Sequence, residues 1–205
     1  MKTYYGKEVS KSYFIGCSTG GRQALKQAQK YPDDFDGVVA GALAWWETRL
    51  LPWMVYYGSL NLPSTYPEHI PSHLFDVILE EMIKQCDVQD GVKDGIAMSP
   101  ETCKFSPDTL LCNEGGTSGC LTRPQLQTLR NLLADWKTKE GDVFFPSLEL
   151  VTGLDMAAVN QIPIRLGLTY MENFVFKNPN WDWTTISQSV AEYSDSLNPG
   201  EVNAD

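Results

Sequence analysis

The chain has 205 residues, 42% hydrophobic and 11% aromatic, a balance that fits a folded globular protein and excludes an intrinsically disordered one. A formal net charge of −10 argues against a nucleic-acid partner, since such binding draws on clustered Lys and Arg. No window is apolar enough for a bilayer span, so no membrane partner is expected, and Met1–Tyr5 has no apolar signal core, so any secretion signal is expected outside this sequence.

The first informative stretch is Tyr13 to Arg22, YFIGCSTGGR. The apolar run Tyr13, Phe14, Ile15 predicts a strand over 12–16. Ala24, Leu25 and Ala28 at helical spacing, stopped by Lys30-Tyr31-Pro32, predict a helix from Gly20 onward. Between them Gly16-Cys17-Ser18-Thr19-Gly20 fits G-x-S-x-G, the strained strand-to-helix bend that exposes a serine hydroxyl at the carboxyl edge of a sheet. Ser18 is therefore the candidate nucleophile, and the backbone N–H of Thr19, the residue after it, the candidate oxyanion donor. Both glycines of the motif are expected to give clearance to neighbouring backbone. A second apolar run, Gly37 to Ala42, follows the turn-like Pro32-Asp33-Asp34 and completes strand, helix, strand, which argues for a parallel α/β unit.

Beyond Ala44 the aromatics thicken: Trp45, Trp46, Trp53, Tyr56, Tyr57 and Tyr66, interrupted by Pro52, Pro63, Pro67 and Pro71. They are expected to be packing residues rather than ligand contacts. His69 and His73 are the only histidines. Pro71 prevents one helix through both, Ser72 reads as the N-cap of a helix over 75–84, and neither follows a strand end, so both are expected to be solvated rather than catalytic. A further helix is predicted over 124–136, with Thr122 as its cap and Leu126, Leu129, Leu132 and Leu133 on one stripe.

The five cysteines divide unevenly. Cys17 stands alone beside Ser18, while Cys86, Cys103, Cys112 and Cys120 fall in a stretch rich in turn formers. Of three possible connectivities, pairing Cys86 with Cys103 and Cys112 with Cys120 closes two short loops around turn-forming sequence. A zinc site is disfavoured, because no spacing is C-x-x-C and both histidines lie elsewhere. Disulfides imply an oxidising compartment. The first loop contains Cys86-Asp87-Val88-Gln89-Asp90-Gly91-Val92-Lys93-Asp94-Gly95-Ile96, whose carboxylates would repel one another if they met without a cation. Calcium, a hard ion taking six to eight oxygens, would suit them, but the spacing is not that of an EF-hand and an ordinary acidic loop with Asp-Gly turns is the other reading.

Together these residues resemble the tannase and feruloyl esterase family. The resemblance rests on the Gly-Cys-Ser-Thr-Gly-Gly-Arg-Gln elbow, Tyr31-Pro32-Asp33-Asp34-Phe35-Asp36-Gly37, the Cys86–Ile96 loop, and Asn178-Pro179-Asn180-Trp181-Asp182-Trp183. It implies an α/β fold: residues 1–44 as a fragment of an α/β-hydrolase core with the nucleophile elbow, and residues 45–205 as a disulfide- and calcium-stabilised lid. It also implies a secreted carboxylic ester hydrolase acting on small-molecule or plant-polymer phenolic esters, with one structural calcium. Carried over position by position, the calcium ligands would be the side chains of Asp87, Asp90 and Asp94 and the backbone carbonyls of Val92 and Ile96.

In the family's pattern the cysteine before the nucleophile pairs with one directly after the catalytic histidine. Cys17 would be that half, with its partner outside this sequence. The triad histidine and acid are likewise expected after the lid, beyond Glu201–Asp205, and Asp205 is not that acid. The strands and second oxyanion donor that precede an elbow are not found before Tyr13. The chain is thus expected to be an internal fragment with negligible esterase activity alone. The rival from another class is a secreted, calcium-stabilised binding module with a degenerate, non-catalytic elbow.

Overall fold

In the computed structural model, residues 2–113, 116, 118–151 and 163–197 are described, so Asp205 lies outside the described residues. After a single helical turn, α1 (Lys2–Tyr5), the apolar run forms β1 (Tyr13–Cys17), which pairs in parallel with β2 (Gly37–Gly41), Tyr13 opposite Gly37 through Cys17 opposite Gly41. Between them runs α2 (Thr19–Lys30), which packs on both strands. Strand, helix and strand therefore form where periodicity placed them, no boundary moving by more than one residue, as end-fraying allows. The strand alternation leaves one face of the pair uncovered among the described residues, with Tyr13 66%, Ile15 76% and Val39 57% exposed.

The chain divides into two compact units, Met1–Leu50 with Asp195–Asp205, and Leu51–Ser194. In the first unit, helix and sheet meet closely at Gly21, where an added Cβ would lie 2.6 Å from the Gly41 carbonyl oxygen. The approach to β1 is held by Asp36, which accepts from Lys11 Nζ at 2.7 Å and from the Ser12 N–H at 2.7 Å. These bonds, Lys11 foremost, hold the Asp36 carboxyl below the usual aspartate range.

The second unit is mainly helical. The helix α3 (Glu47–Ser59) enters it, followed by α4 (Ser72–Cys86), α5 (Arg123–Leu132), a short antiparallel pair β3 (Trp136–Lys137) and β4 (Val143–Phe145), α6 (Arg165–Tyr170) with a π-helical turn Met171–Val175, and α7 (Gln188–Ser196). Leu74, Phe75, Ile78 and Met82 of α4 and Leu126, Leu129 and Leu132 of α5 are buried, the i, i+3/i+4 stripe that drives amphipathic helices together. A further cluster joins Val55 to Met171 and Val175, with Phe176, Trp181 and Trp183 packed against it.

Two helix ends differ from expectation. Ser72 is not a cap: Pro71 occupies the cap position with φ −65° and ψ 150° and makes no side-chain cap bond, so Ser72 becomes the first helical residue. Proline's fixed φ sets the chain for helix entry one residue earlier than a serine cap would. The expected Thr122 cap is present as a capping box with Gln125, but α5 stops at Leu132 instead of continuing through Trp136. Trp136 turns into β3, where its ring stacks on Tyr56 at 4.2 Å and meets Phe144 edge-on at 5.1 Å. Burial of aromatic area there outweighs one more helical turn. Trp53 and Tyr57 are buried with it, as packing residues should be, whereas Tyr66 is 60% exposed.

Gly167 is the tightest approach in the second unit, since an added Cβ would lie 2.4 Å from the Leu51 carbonyl oxygen. Gly167→Ala is expected to lower stability by about 1–3 kcal/mol in urea unfolding, because backbone must move. Asp36, with its folded pKa depressed, contributes stability above the ordinary aspartate range and loses it as pH falls through the folded value. The difference in urea midpoint between the wild type and Asp36→Asn should therefore close as pH drops below about 4.

Candidate active site

The chain turns sharply at one residue between β1 and α2. Ser18 has φ 56° and ψ −119°, a left-handed conformation that costs a non-glycine residue free energy and persists only where the surroundings enforce it. The bend leaves the side chains of Ser18 and Thr19 exposed. It also leaves the N–H groups of the first turn of α2, Thr19 included, without intrahelical acceptors and at the positive end of the helix dipole.

The glycines around it have separate tasks. An added Cβ on Gly16 would lie 2.2 Å from the Gly20 carbonyl oxygen, so Gly16 is required by close backbone contact. Gly20, expected to be needed for the same reason, has nothing within 4 Å of its added Cβ. The second sterically required glycine is Gly21, just outside the motif, where α2 crosses β2. Sequence reasoning passed over it, although the Gly-Gly doublet was the available signal.

The Ser18 peptide groups are braced by the chain after β2. Its N–H points at the carbonyl oxygens of Gly41 at 3.1 Å and Ala42 at 3.2 Å, and its carbonyl accepts from Ala44 N–H and Arg22 N–H, each at 3.1 Å. Arg22 also forms an ion pair with Glu47 at the start of α3, a pair that the sequence reading did not identify. Burial raises the Glu47 pKa, and the Arg22 charge works against that rise.

Among the described residues no hydrogen-bond partner reaches Ser18 Oγ. The ring of His69 is committed elsewhere, with Nδ1 2.7 Å from the Asn61 carbonyl oxygen, while its own carbonyl accepts from Gln125 Nε2 at 2.9 Å. Asn61 in turn exchanges two bonds with the Ile70 backbone, at 2.9 and 2.7 Å. His69 is thus a half-buried structural residue at the end of an exposed loop rather than the solvated one expected. His73 is exposed in the first turn of α4. The described site therefore presents the Ser18 hydroxyl and the Thr19 N–H at one turn, and among the described residues neither histidine is hydrogen-bonded to Ser18 Oγ. Cys17 is an exposed free thiol.

The acidic loop folds around its own carboxylates. Asp87, 5% exposed, accepts through Oδ1 from the N–H groups of Asp94 at 3.0 Å and Gly95 at 2.8 Å. Asp90 accepts from Met98 N–H at 2.9 Å and Val92 N–H at 3.0 Å, which lowers its pKa, Met98 contributing most. Asp94 accepts from Ile96 N–H at 3.0 Å. Gly91 and Gly95 take positive φ, 93° and 82°, at the two reversals. Three carboxylates and the carbonyls of Val92 and Ile96 are the oxygen donors that a hard cation prefers. Their side chains do not gather, however: among the described residues no three His, Cys, Asp or Glu side chains form a group that could hold a metal ion. The loop is enclosed by a disulfide from Cys86 to Cys103, and a second joins Cys112 to Cys120, the two local pairs expected from spacing.

A family model described as tannase and feruloyl esterase matches residues 1–180. The Aspergillus fumigatus protein named probable feruloyl esterase B-2 is 35% identical over 211 residues, an alignment covering 100% of this chain and 40% of that protein. Two crystal structures from Aspergillus oryzae are similar. One, of feruloyl esterase B, has a TM-score of 0.91 at 32% identity and is matched over 100% of this chain and 42% of its own. The other, of an esterase, has a TM-score of 0.90 at 33% identity, over 97% and 40%. The chain thus spans about two fifths of the length of the relatives it matches, and over that share its fold is of the α/β-hydrolase type. With a family match over most of its length and the elbow folded as the motif requires, this chain belongs to the tannase and feruloyl esterase family.

Proposed function

We propose that the chain is part of a secreted carboxylic ester hydrolase that cleaves esters of phenolic acids through an acyl-enzyme on Ser18. The observation that carries this reading is the exposed Ser18 hydroxyl on a left-handed turn with φ 56°, at the N-terminus of α2. Maintaining so strained a conformation weighs against a degenerate elbow in a binding module. Ser18 Oγ attacks the ester carbonyl as a base removes its proton, and the Thr19 N–H, at the first turn of α2, donates to the oxygen that becomes negative. The alcohol leaves with the proton from that base. Water then adds to the acyl carbon, releases the phenolic acid and restores the serine.

In this reading the histidine base, its orienting acid and the cysteine that pairs with Cys17 come from the part of the protein that this chain does not span. The phenolic acyl group follows from the relatives' names, and two disulfides fit an extracellular setting. Residues 45–205 serve as the lid. Calcium belongs to the same reading on the hard-oxygen chemistry of the carbonyls of Val92 and Ile96 and of Asp87, Asp90 and Asp94, whose side chains would have to draw together around the ion. Its contribution would be structural, holding the loop between Cys86 and Cys103.

In the intact protein, Ser18→Ala is expected to reduce hydrolysis of a methyl phenolate-acid ester such as methyl ferulate by about 10⁴-fold or more in kcat, at unchanged thermal stability. The isolated chain should turn the ester over negligibly. Turnover by the isolated chain that Ser18→Ala abolishes would show that the base lies within these residues. For calcium, chelation should lower Tm by about 5–10 °C relative to protein in excess calcium, an effect of about 2.7 kcal/mol at a hundredfold excess over Kd. An unchanged Tm on chelation removes calcium from the reading.

A further inference from the structure

The segment that leaves β2 is itself strained. Ala42 has φ 38° and Trp46 φ 52°, and neither is glycine. Conformations of this kind are kept only where neighbouring contacts over-determine them. The strained segment is the one whose backbone holds Ser18, through Gly41, Ala42 and Ala44.

At its far end the segment is tied down by one carboxylate. Asp195 Oδ1 accepts from Trp46 Nε1 at 3.1 Å and from Thr48 Oγ1 at 2.7 Å, and Oδ2 accepts from Arg49 Nε at 2.8 Å. The Arg49 guanidinium lies 3.9 Å over the Trp46 ring, so two of the three donors to Asp195 also clasp each other. Charge-assisted bonds of this number and geometry, with the Asp195 side chain 20% exposed, resist exchange with water more than a surface pair does. The Arg22–Glu47 ion pair anchors the same stretch from the α2 side.

From this geometry we infer that Asp195 is a positioning residue for the Ser18 nucleophile. It fixes Trp46, Thr48 and Arg49, these hold the chain from Gly41 to Trp46 in its strained path, and that path presents the two carbonyls and one N–H that lock the elbow. Asp195 acts through the backbone and touches no reacting atom. The inference rests on the reading of Ser18 as the nucleophile.

The test is amide hydrogen exchange on the intact protein in Asp195→Asn and, as a gentler variant, Trp46→Phe, which removes the indole donor and narrows the ring under Arg49. The amides of Ser18 and Ala44 should exchange at least tenfold faster in Asp195→Asn and by a smaller factor in Trp46→Phe, while Leu126 and Leu129 in α5 keep their wild-type rates. In the intact esterase Asp195→Asn should lower kcat at least tenfold with KM within twofold and an unshifted pH profile. Unchanged exchange at Ser18 and Ala44, acceleration spread equally to α5, or a full kcat in Asp195→Asn would each overturn the inference. The exchange measurement needs no activity. It decides the role of Asp195 even if Ser18→Ala proves harmless to hydrolysis, an outcome that overturns the nucleophile reading instead.

Discussion

The first unit depends on the hydrogen bonds that hold the Ser18 peptide against the chain leaving β2. A left-handed serine is unstable by itself, and a short parallel strand pair is too small to enforce it. What enforces it is backbone contact on two sides: Gly16 against Gly20 within the turn, and Gly41, Ala42 and Ala44 across it. Each contact needs atoms closer than a Cβ permits or donors aimed without a side chain's freedom. The strain at Ser18 is thus shared with Ala42 and Trp46, and the elbow and the loop beside it form one interlocked element rather than a motif resting on a scaffold.

How far this could be read from the sequence follows from the range of the interactions. The strand, the bend and the helix are set by residues within a few positions of one another, so the apolar run before Gly16 and the spacing of Ala24 suffice to find them. The two disulfides are equally local, as is the Thr122 cap with Gln125. Where a distant partner decides, the pattern is silent. Nothing near Trp136 announces that Tyr56 and Phe144 will draw it out of α5, and nothing near Trp46 points to Asp195. The same holds for His69, whose ring bonds to the Asn61 carbonyl and whose own carbonyl accepts from Gln125.

Of the candidate site, the legible part was the half that a single turn can encode: the strained, exposed Ser18 and the N–H beside it. The roles of the glycines were only partly legible, because G-x-S-x-G names positions without saying which of them faces backbone. Gly20 and Gly21 look alike in a string, yet only Gly21 lies beneath a carbonyl of the neighbouring strand. The acidic loop shows the same division. Its Asp-Gly turns follow from composition, whereas the burial of Asp87 and the aim of its oxygen at Asp94 and Gly95 depend on how α4 delivers it.

The bridge from Cys86 to Cys103 has a consequence for how the acidic loop responds to its surroundings. It closes a ring around the whole turn-rich stretch, and Cys86 is the last residue of α4, immediately before Asp87. Opening the ring by reduction would release the loop's far end and enlarge the set of shapes open to its carboxylates. A thiol reagent would then act on this stretch much as a sequestering agent acts on a cation site, weakening it without touching a single oxygen.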